Sequence, residues 1–442
     1  MAAPAAVAGA GDSLVHSPVR PAVSVLVLCL CAPVVGAQTI QEETLRRMQQ
    51  QIRNDKFDHV LPKAMRNNGV EMWIHVIRAR NPDPIARNLG GESGVFVFTD
   101  RGGDRIERAI LGGTDEALWG DEAYDLFVGE EGVEGDPGWQ NVVGDFVAER
   151  DPERIAVNFS KQNPVADGIS HTDFETLAAG LGEKYASRIV SAEGVIGDFL
   201  AGIVVGEITL AGYFGMLTMQ TLDEEFAKIE PGVTRLEELD GNVFVRDPDG
   251  NEDNNNEYVL QRGDIVTILN GAGEGYFVAD LGGNGYVLQE GETELPPRVQ
   301  RIWEHAMQVR EILRASIRVG PTAGETLSLL AGKIEEAGFL YIDRDQYDPT
   351  LDPTKTQVHL DLHAQGRRDM DAPRISPLGG DWQREMKLPL FHSFTLEYMV
   401  HMPVPEWGPG KHLYIAFHDG AIVTPRGIEF PYPPDPGIRV IR

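Results

Sequence analysis

Apolar and polar positions alternate in short runs through the first part of the chain. From Glu42 to about Lys63 a polar stretch with Leu45, Met48 and Ile52 on it reads as a helix. Glu71–Ile77 and Arg154–Asn158 read as strands, and Gly94–Thr99 with Arg105–Ile110 reads as a hairpin around Asp100-Arg101-Gly102-Gly103-Asp104. Thr172 to about Lys184 places Phe174, Leu177 and Leu181 on one helical face. Strands alternating with helices in this way predict an α/β domain.

The pattern changes near residues 185–200. Asp198–Ile229 reads as one long, Gly-containing helix closed by Glu230-Pro231-Gly232. The expected organisation is a leader over 1–37, an N-terminal α/β domain over 38–192 and a second domain over 193–442. Within the second domain a motif recurs: a long helix, a Gly/Pro turn, then Thr-x-x-Glu. It occurs around Thr234 and again around Thr322 after a helix from Val299 to Ser316. Each Thr-x-x-Glu predicts a capping box, and the repeat predicts two similar halves. Gly271–Gly275 and Gly282–Gly285 read as tight strand turns, since neither is followed by a Lys-Ser/Thr pair. The acidic, Asn-rich run Asp247–Asn256 reads as a solvated surface loop without EF-hand spacing. The tryptophans Trp73, Trp119, Trp139 and Trp303 read as packing residues.

Arg20, the apolar run Ala22–Cys31 and the small-residue exit Val35-Gly36-Ala37 before Gln38 form a secretory signal pattern. An uncleaved anchor or a misplaced start is the alternative. Cleavage at Gln38 would leave a secreted or periplasmic protein with no membrane segment. Both cysteines, Cys29 and Cys31, would leave with the leader, which excludes disulfides, thiolate metal sites and a cysteine nucleophile. With 39 Lys and Arg against 68 Asp and Glu, the net charge of −29 argues against nucleic-acid partners.

Six of the eleven histidines lie from residue 359 onward: His359, His363, His392, His401, His412 and His418. As a strand, Val358–His363 turns His359, Asp361 and His363 away from Val358, Leu360 and Leu362. Phe394–His401 sets Glu397 in an apolar stretch, and His412–Asp419 puts His418 opposite Leu413, Ile415 and Phe417. Neighbouring strands of this kind either converge imidazoles and carboxylates on a metal or form the polar face of an antiparallel sheet.

Several segments carry a family likeness. Arg262–Gly271 with Gly275-Tyr276 and Ala279-Asp280, then Leu396-Glu397-Tyr398, Met402–Gly408 and Asp419–Gly427, resemble in order the metal-bearing strands of the creatinase / aminopeptidase P metallohydrolases, the pita-bread family. Met72–Val76 and the hairpin from Phe96 to Ile110 resemble the N-terminal domain of the family's secreted bacterial aminopeptidase P-like subgroup. The resemblance covers about residues 42–442. It implies a creatinase-like α/β N-terminal domain and an α+β pita-bread domain with pseudo-two-fold halves. It also implies a peptide or small amide substrate, cleavage of Xaa-Pro or related bonds, and relatives that are commonly dimers.

The family's two-metal centre uses two Asp, one His and two Glu. Carried over by position, these fall on Leu269, Asp280, His359 or His363, Glu397 and His418. His359 fits the spacing to Glu397, and His363 fits the local His-x-x-Gly pattern. A substrate-contacting His of the family falls on Gly366. Losing the bridging Asp to Leu269 argues against a metal pair at about 3.5–4 Å. What the resemblance then implies is one divalent ion per chain, Zn, Mn or Fe, on Asp280, His359, Glu397 and His418, with Glu397 and His363 as catalytic residues. The alternatives are a non-catalytic descendant of the fold and a metal-free amide hydrolase of the creatinase kind.

Overall fold

The computed structural model describes residues 32–112, 121–128, 138–253, 255–274, 277–365 and 370–442, with side chains from residue 42 onward. The leader cysteines, Trp119, Gly275, Tyr276 and Gly366 lie outside the described residues. Residues up to Arg46 form one unit and Arg47–Arg442 another.

The helix expected to begin at Glu42 spans Ala32–His59, and a second, Leu61–Asn67, follows with Pro62 in its first turn. Proline suits that position, because its fixed φ is helical and its missing N–H would have no partner there. The first sheet has six strands in the order 126–128, 107–111, 94–99, 72–77, 155–157, 189–191. Its central strands Met72–Ile77 and Gly94–Thr99 are buried on both faces. On one face Trp73, Phe96 and Phe98 pack with Phe57, Leu61 and Phe199. On the other, Met72, Ile74 and Val97 pack with Val143, Phe146, Leu177 and Leu181. Helices on both faces make this an α/β layer, and its strands read as unbroken apolar runs for that reason.

The expected single helix from Asp198 to Ile229 is two helices, Glu193–Ala201 and Val205–Ala227, bent by 59°. Gly202 is extended at the break, and Val60 would lie 2.4 Å from any Cβ there. No single helix among the described residues is long and apolar enough to cross a membrane. The Thr322 capping box is present: its hydroxyl accepts from Glu325 N at 3.1 Å, and Glu325 Oε2 accepts from Thr322 N at 2.8 Å. The Thr234 box is not. The Thr234 hydroxyl accepts from Glu230 N at 2.8 Å, and only a 3-10 turn, Leu236–Glu238, follows.

Beside a small pair of strands, 273–274 with 277–278, two further sheets carry the rest. One runs 439–441, 281–287, 265–270, 242–246, 252–253; the other runs 340–341, 357–360, 393–403, 412–424, 427–429, with 363–364 also pairing to 393–403. Gly282–Gly285, expected as a turn, lies inside the strand Leu281–Val287. A Cβ on Gly283 or Gly285 would come within 2.9 Å of Phe226, so these glycines admit a close helix rather than a turn. In the long antiparallel pair, Phe394, Leu396, Tyr398 and Val400 join Leu413, Ile415 and Phe417 in a core with Ile302, Ala306 and Val309 of the helix Pro297–Ser316. The alternate residues of both strands face the other way, and these include the site. The acidic loop turns its own carboxylate inward: Asp247 Oδ1 accepts from Asp249 N and Asn251 N at 2.9 and 2.8 Å.

Candidate functional site

Cross-strand register builds the site. Strand 393–403 pairs with 412–424 so that Glu397 stands opposite His418 and Tyr398 opposite Phe417. The Tyr398 and Phe417 rings stack at 4.7 Å on the core side, and the Tyr398 hydroxyl donates to Ala306 O at 3.2 Å. A one-residue slip would move both rings into the cavity, so apolar packing fixes where the polar pair points. Strand 281–287 is tied to the same place: the Asn284 amide accepts from Thr267 Oγ1 and donates to Ala416 O, both at 2.8 Å. Asp280 begins that approach, and His363 enters from a short strand paired to Thr395.

Four side chains thereby meet. His363 Nε2 lies 3.5 Å from Asp280 Oδ2 and 3.3 Å from Glu397 Oε2. His418 Nδ1 lies 3.4 Å from Asp280 Oδ1, and its Nε2 lies 3.5 Å from Glu397 Oε1. Each imidazole touches both carboxylates, so the four alternate in sign when the rings are protonated. Burial pushes both rings toward neutrality. The facing carboxylates outweigh it and hold His363 and His418 above the ordinary histidine range. Burial likewise pushes Asp280 up, but its contact with His418 and the two imidazolium charges hold it below the usual carboxylate range. Asp280 keeps 39% of its side chain exposed, against 7% for His418, so solvent screens its share most.

His359, the other candidate for the histidine ligand, is held by a different contact. Strand 357–360 ends before residue 361, and Leu362 instead bridges to Ile375, so His359 and His363 are not on one continuous strand. His359 Nδ1 donates to Ile342 O at 3.2 Å. Asp361, expected beside them, is held by Arg374 through two contacts of 2.7 and 2.6 Å. Leu269 lines the cavity with Glu397 and His418. Gly282 lies across from it, and a Cβ there would sit 2.7 Å from Leu269 Cδ2 and 3.5 Å from the Cβ of His418. An apolar side chain thus fills the space beside His418.

The cavity holds about 830 Å³ and continues along the strands to Arg246, Tyr347, His401, His412 and Tyr414. His401 is four residues from Glu397 and His412 six from His418, roughly 13–20 Å along the sheet. Sequence alone named these two histidines without giving them a place. Tyr347 and Arg246 carried no signal at all, because a distant loop and another sheet deliver them. Among the described residues no three His, Cys, Asp or Glu side chains stand ready as a metal cage. In the tetrad the donors are turned toward one another. Its chemistry still fits one divalent ion: two imidazoles, two carboxylates, and a buried His418 Nε2 without a hydrogen bond. It does not fit a bridged pair, since Leu269 supplies no oxygen.

No family model matches the chain, and no curated protein does. Solved structures do match. An X-Pro aminopeptidase from Thermotoga maritima superposes with a TM-score of 0.58 at 15% identity, covering 86% of this chain and 100% of that one. The fold is that of the Xaa-Pro peptidases. An Xaa-Pro dipeptidase from Bacillus anthracis gives 0.57 at 16% identity over 89% and 100% of the two chains. A dipeptidase from Pyrococcus horikoshii gives 0.54 at 13% over 88% and 100%. The N-terminal α/β layer and the mixed pita-bread sheets are therefore shared with these enzymes across most of the chain.

Proposed function

We propose that the chain is an aminopeptidase P-like hydrolase of Xaa-Pro or related amide bonds, of the secreted bacterial subgroup, working with at most one divalent ion. The observation supporting this reading is the convergence of Asp280, His363, Glu397 and His418 beside a peptide-sized cavity. Asp280, Glu397 and His418 would hold the ion, with His363 beside it rather than His359. Bound there, it supplies Lewis acidity to a substrate carbonyl and to water. The residues supply the rest. Glu397 and His363, 3.3 Å apart, can take a proton from the attacking water and return it to the departing amine. The cavity orients the peptide and excludes bulk water.

A second reading has its own support. Two carboxylates already neutralised by two imidazoles, next to Leu269, suit a binding or structural protein that has lost the two-metal centre. Metal analysis of purified protein at pH 7 together with hydrolysis of Xaa-Pro peptides separates the two. One ion at the tetrad with turnover supports the hydrolase. No ion at the tetrad and no turnover leaves the binding protein. Two ions at the tetrad, or turnover at ordinary enzyme rates of about 1–1000 per second by the two-metal route, contradicts both.

Export belongs to the same proposal, with the mature chain starting at Gln38 and domains over 38–192 and 193–442. N-terminal mass analysis of exported protein showing an intact residue 1 would remove it.

A further inference from the structure

The far end of the cavity carries a second, separate arrangement of imidazoles. His401 and His412 are 2% and 8% exposed. His401 Nε2 lies 3.0 Å from Asp345 O, and His412 Nδ1 lies 3.2 Å from Gly410 O. A carbonyl can only accept, so those nitrogens carry the protons. His401 Nδ1 and His412 Nε2 are then bare lone pairs, and both are buried with no hydrogen-bond partner. A buried acceptor left unpaired is costly and asks for an explanation.

An imidazole with one nitrogen donating to a backbone carbonyl and the other bare is what an oriented metal ligand looks like, because the donated bond fixes tautomer and ring direction. The spacing agrees. Two imidazoles bound at about 2.0–2.1 Å to one tetrahedral ion have ring centres about 5 Å apart. The His401 and His412 rings are 5.1 Å apart. The Tyr347 ring stacks on His412 at 4.2 Å and holds it in place.

We propose that His401 Nδ1 and His412 Nε2 form a two-imidazole site for a borderline divalent transition metal such as Zn2+ or Co2+, distinct from the tetrad at Glu397. Its remaining positions open to the cavity and are filled by water or an incoming ligand, since among the described residues no third side chain completes a cage. Arg246, a cation like the ion itself, lines the same cavity, paired to Glu252 at 2.8 Å and over the Tyr414 ring at 5.3 Å. Two positive centres facing one cavity favour an anionic ligand, such as a carboxylate, on the open positions of the ion. Both imidazoles stay neutral at pH 7: burial, then the neighbouring His412 and Arg246 charges, push His401 down to about 3, and burial with Arg246 pushes His412 down to about 4. They need lose no proton to ligate.

The test uses the full chain carrying Asp280→Asn, Glu397→Gln, His363→Ala and His418→Ala, so that no ion can rest on the tetrad. Co2+ is titrated while visible absorption and calorimetry are followed. One Co2+ per chain is expected to remain, and adding His401→Ala and His412→Ala should abolish it, because no protein ligand is then left at the site. A folded background that binds no Co2+, or one whose binding ignores the added changes, overturns the proposal. Should any variant fail to fold, imidazole 15N spectra of the unaltered chain decide. Zn2+ must move His401 Nδ1 and His412 Nε2. Shifts confined to His363 and His418 overturn this site while leaving the tetrad reading standing. Shifts confined to His401 and His412 support it and count against the tetrad as the metal site.

Discussion

Four histidines line one face of one sheet, and the two ends of the cavity treat them oppositely. At one end His363 and His418 each face Asp280 and Glu397 and are held charged. At the other, His401 and His412 face backbone carbonyls, each other and Arg246, and are held neutral. Burial disfavours the cation at both ends, so it cannot be what separates them. The difference is the sign of the nearest charge. Residue type gives a histidine its range of behaviour, and the neighbours choose within it.

The largest expected effect comes from rebuilding the charged end. Leu269→Asp together with His418→Glu restores both bridging carboxylates, so metal analysis should rise to two ions at that end. Xaa-Pro turnover should rise at least about tenfold. Leu269→Asp alone should do neither, because the His418 imidazolium still occupies the second bridge. Two ions there in the single variant would break the comparison.

Next is removal of one partner from the charged end. Glu397→Ala leaves two buried imidazoles sharing Asp280, and breaking such a set costs about 3–5 kcal/mol. At the neutral end His401→Leu loses one neutral hydrogen bond and should cost about 1 kcal/mol. Urea denaturation at pH 7 with chelator present measures both. Equal costs would mean the tetrad is not a charge cluster.

Acidity should act on the two ends with opposite sign. The folded pKa values of His401 and His412, about 3 and about 4, lie below the unfolded value near 6.5, so between these limits the unfolded chain binds more protons. Stability from that end is full above pH 6.5 and falls by about 1 kcal/mol per pH unit per histidine as pH drops. His363 and His418 have raised folded values. Their contribution is full below 6.5 and is lost as pH rises through the raised values. Melts of chelated protein from pH 4 to 9 on the unaltered chain and on His401→Leu/His412→Leu should show the acid-side loss disappear in the variant and the alkaline-side loss remain.

The smallest effect sharpens the neutral end. Tyr347→Ala removes the ring stacked on His412 and lets water in, so the His412 pKa should climb toward 6.5 in an NMR titration. The accompanying loss of stability should be about 0.5–1.5 kcal/mol. An unmoved pKa would assign the low value to Arg246 rather than to burial.

Much of this was legible in the chain itself. Period-two alternation put His418 on the polar face of a strand whose other face is Leu413, Ile415 and Phe417, and local pattern is enough for that because a strand has only two faces; Glu397 was legible only as a carboxylate in an apolar stretch. The segments Glu71–Ile77, Gly94–Thr99 and Arg154–Asn158 were legible as strands of the first sheet, and the structure adds that these strands are covered on both sides. The Thr322 capping box was legible for the same reason, since it closes over four residues. What the sequence could not settle were choices made by distant segments. His359 and His363 fit the ligand position by different local criteria, and only the structure shows the break after Leu360 that puts them on separate strands, with His363 alongside Asp280 and Glu397. The glycines of 282–285 read as a turn until Phe226 and His418 were seen against them. The charge state of each histidine was settled last and only in three dimensions. It depends on which carboxylate, carbonyl or guanidinium lies within a few ångströms, and those partners are 21–166 residues away along the chain for the tetrad and for the Arg246 pair.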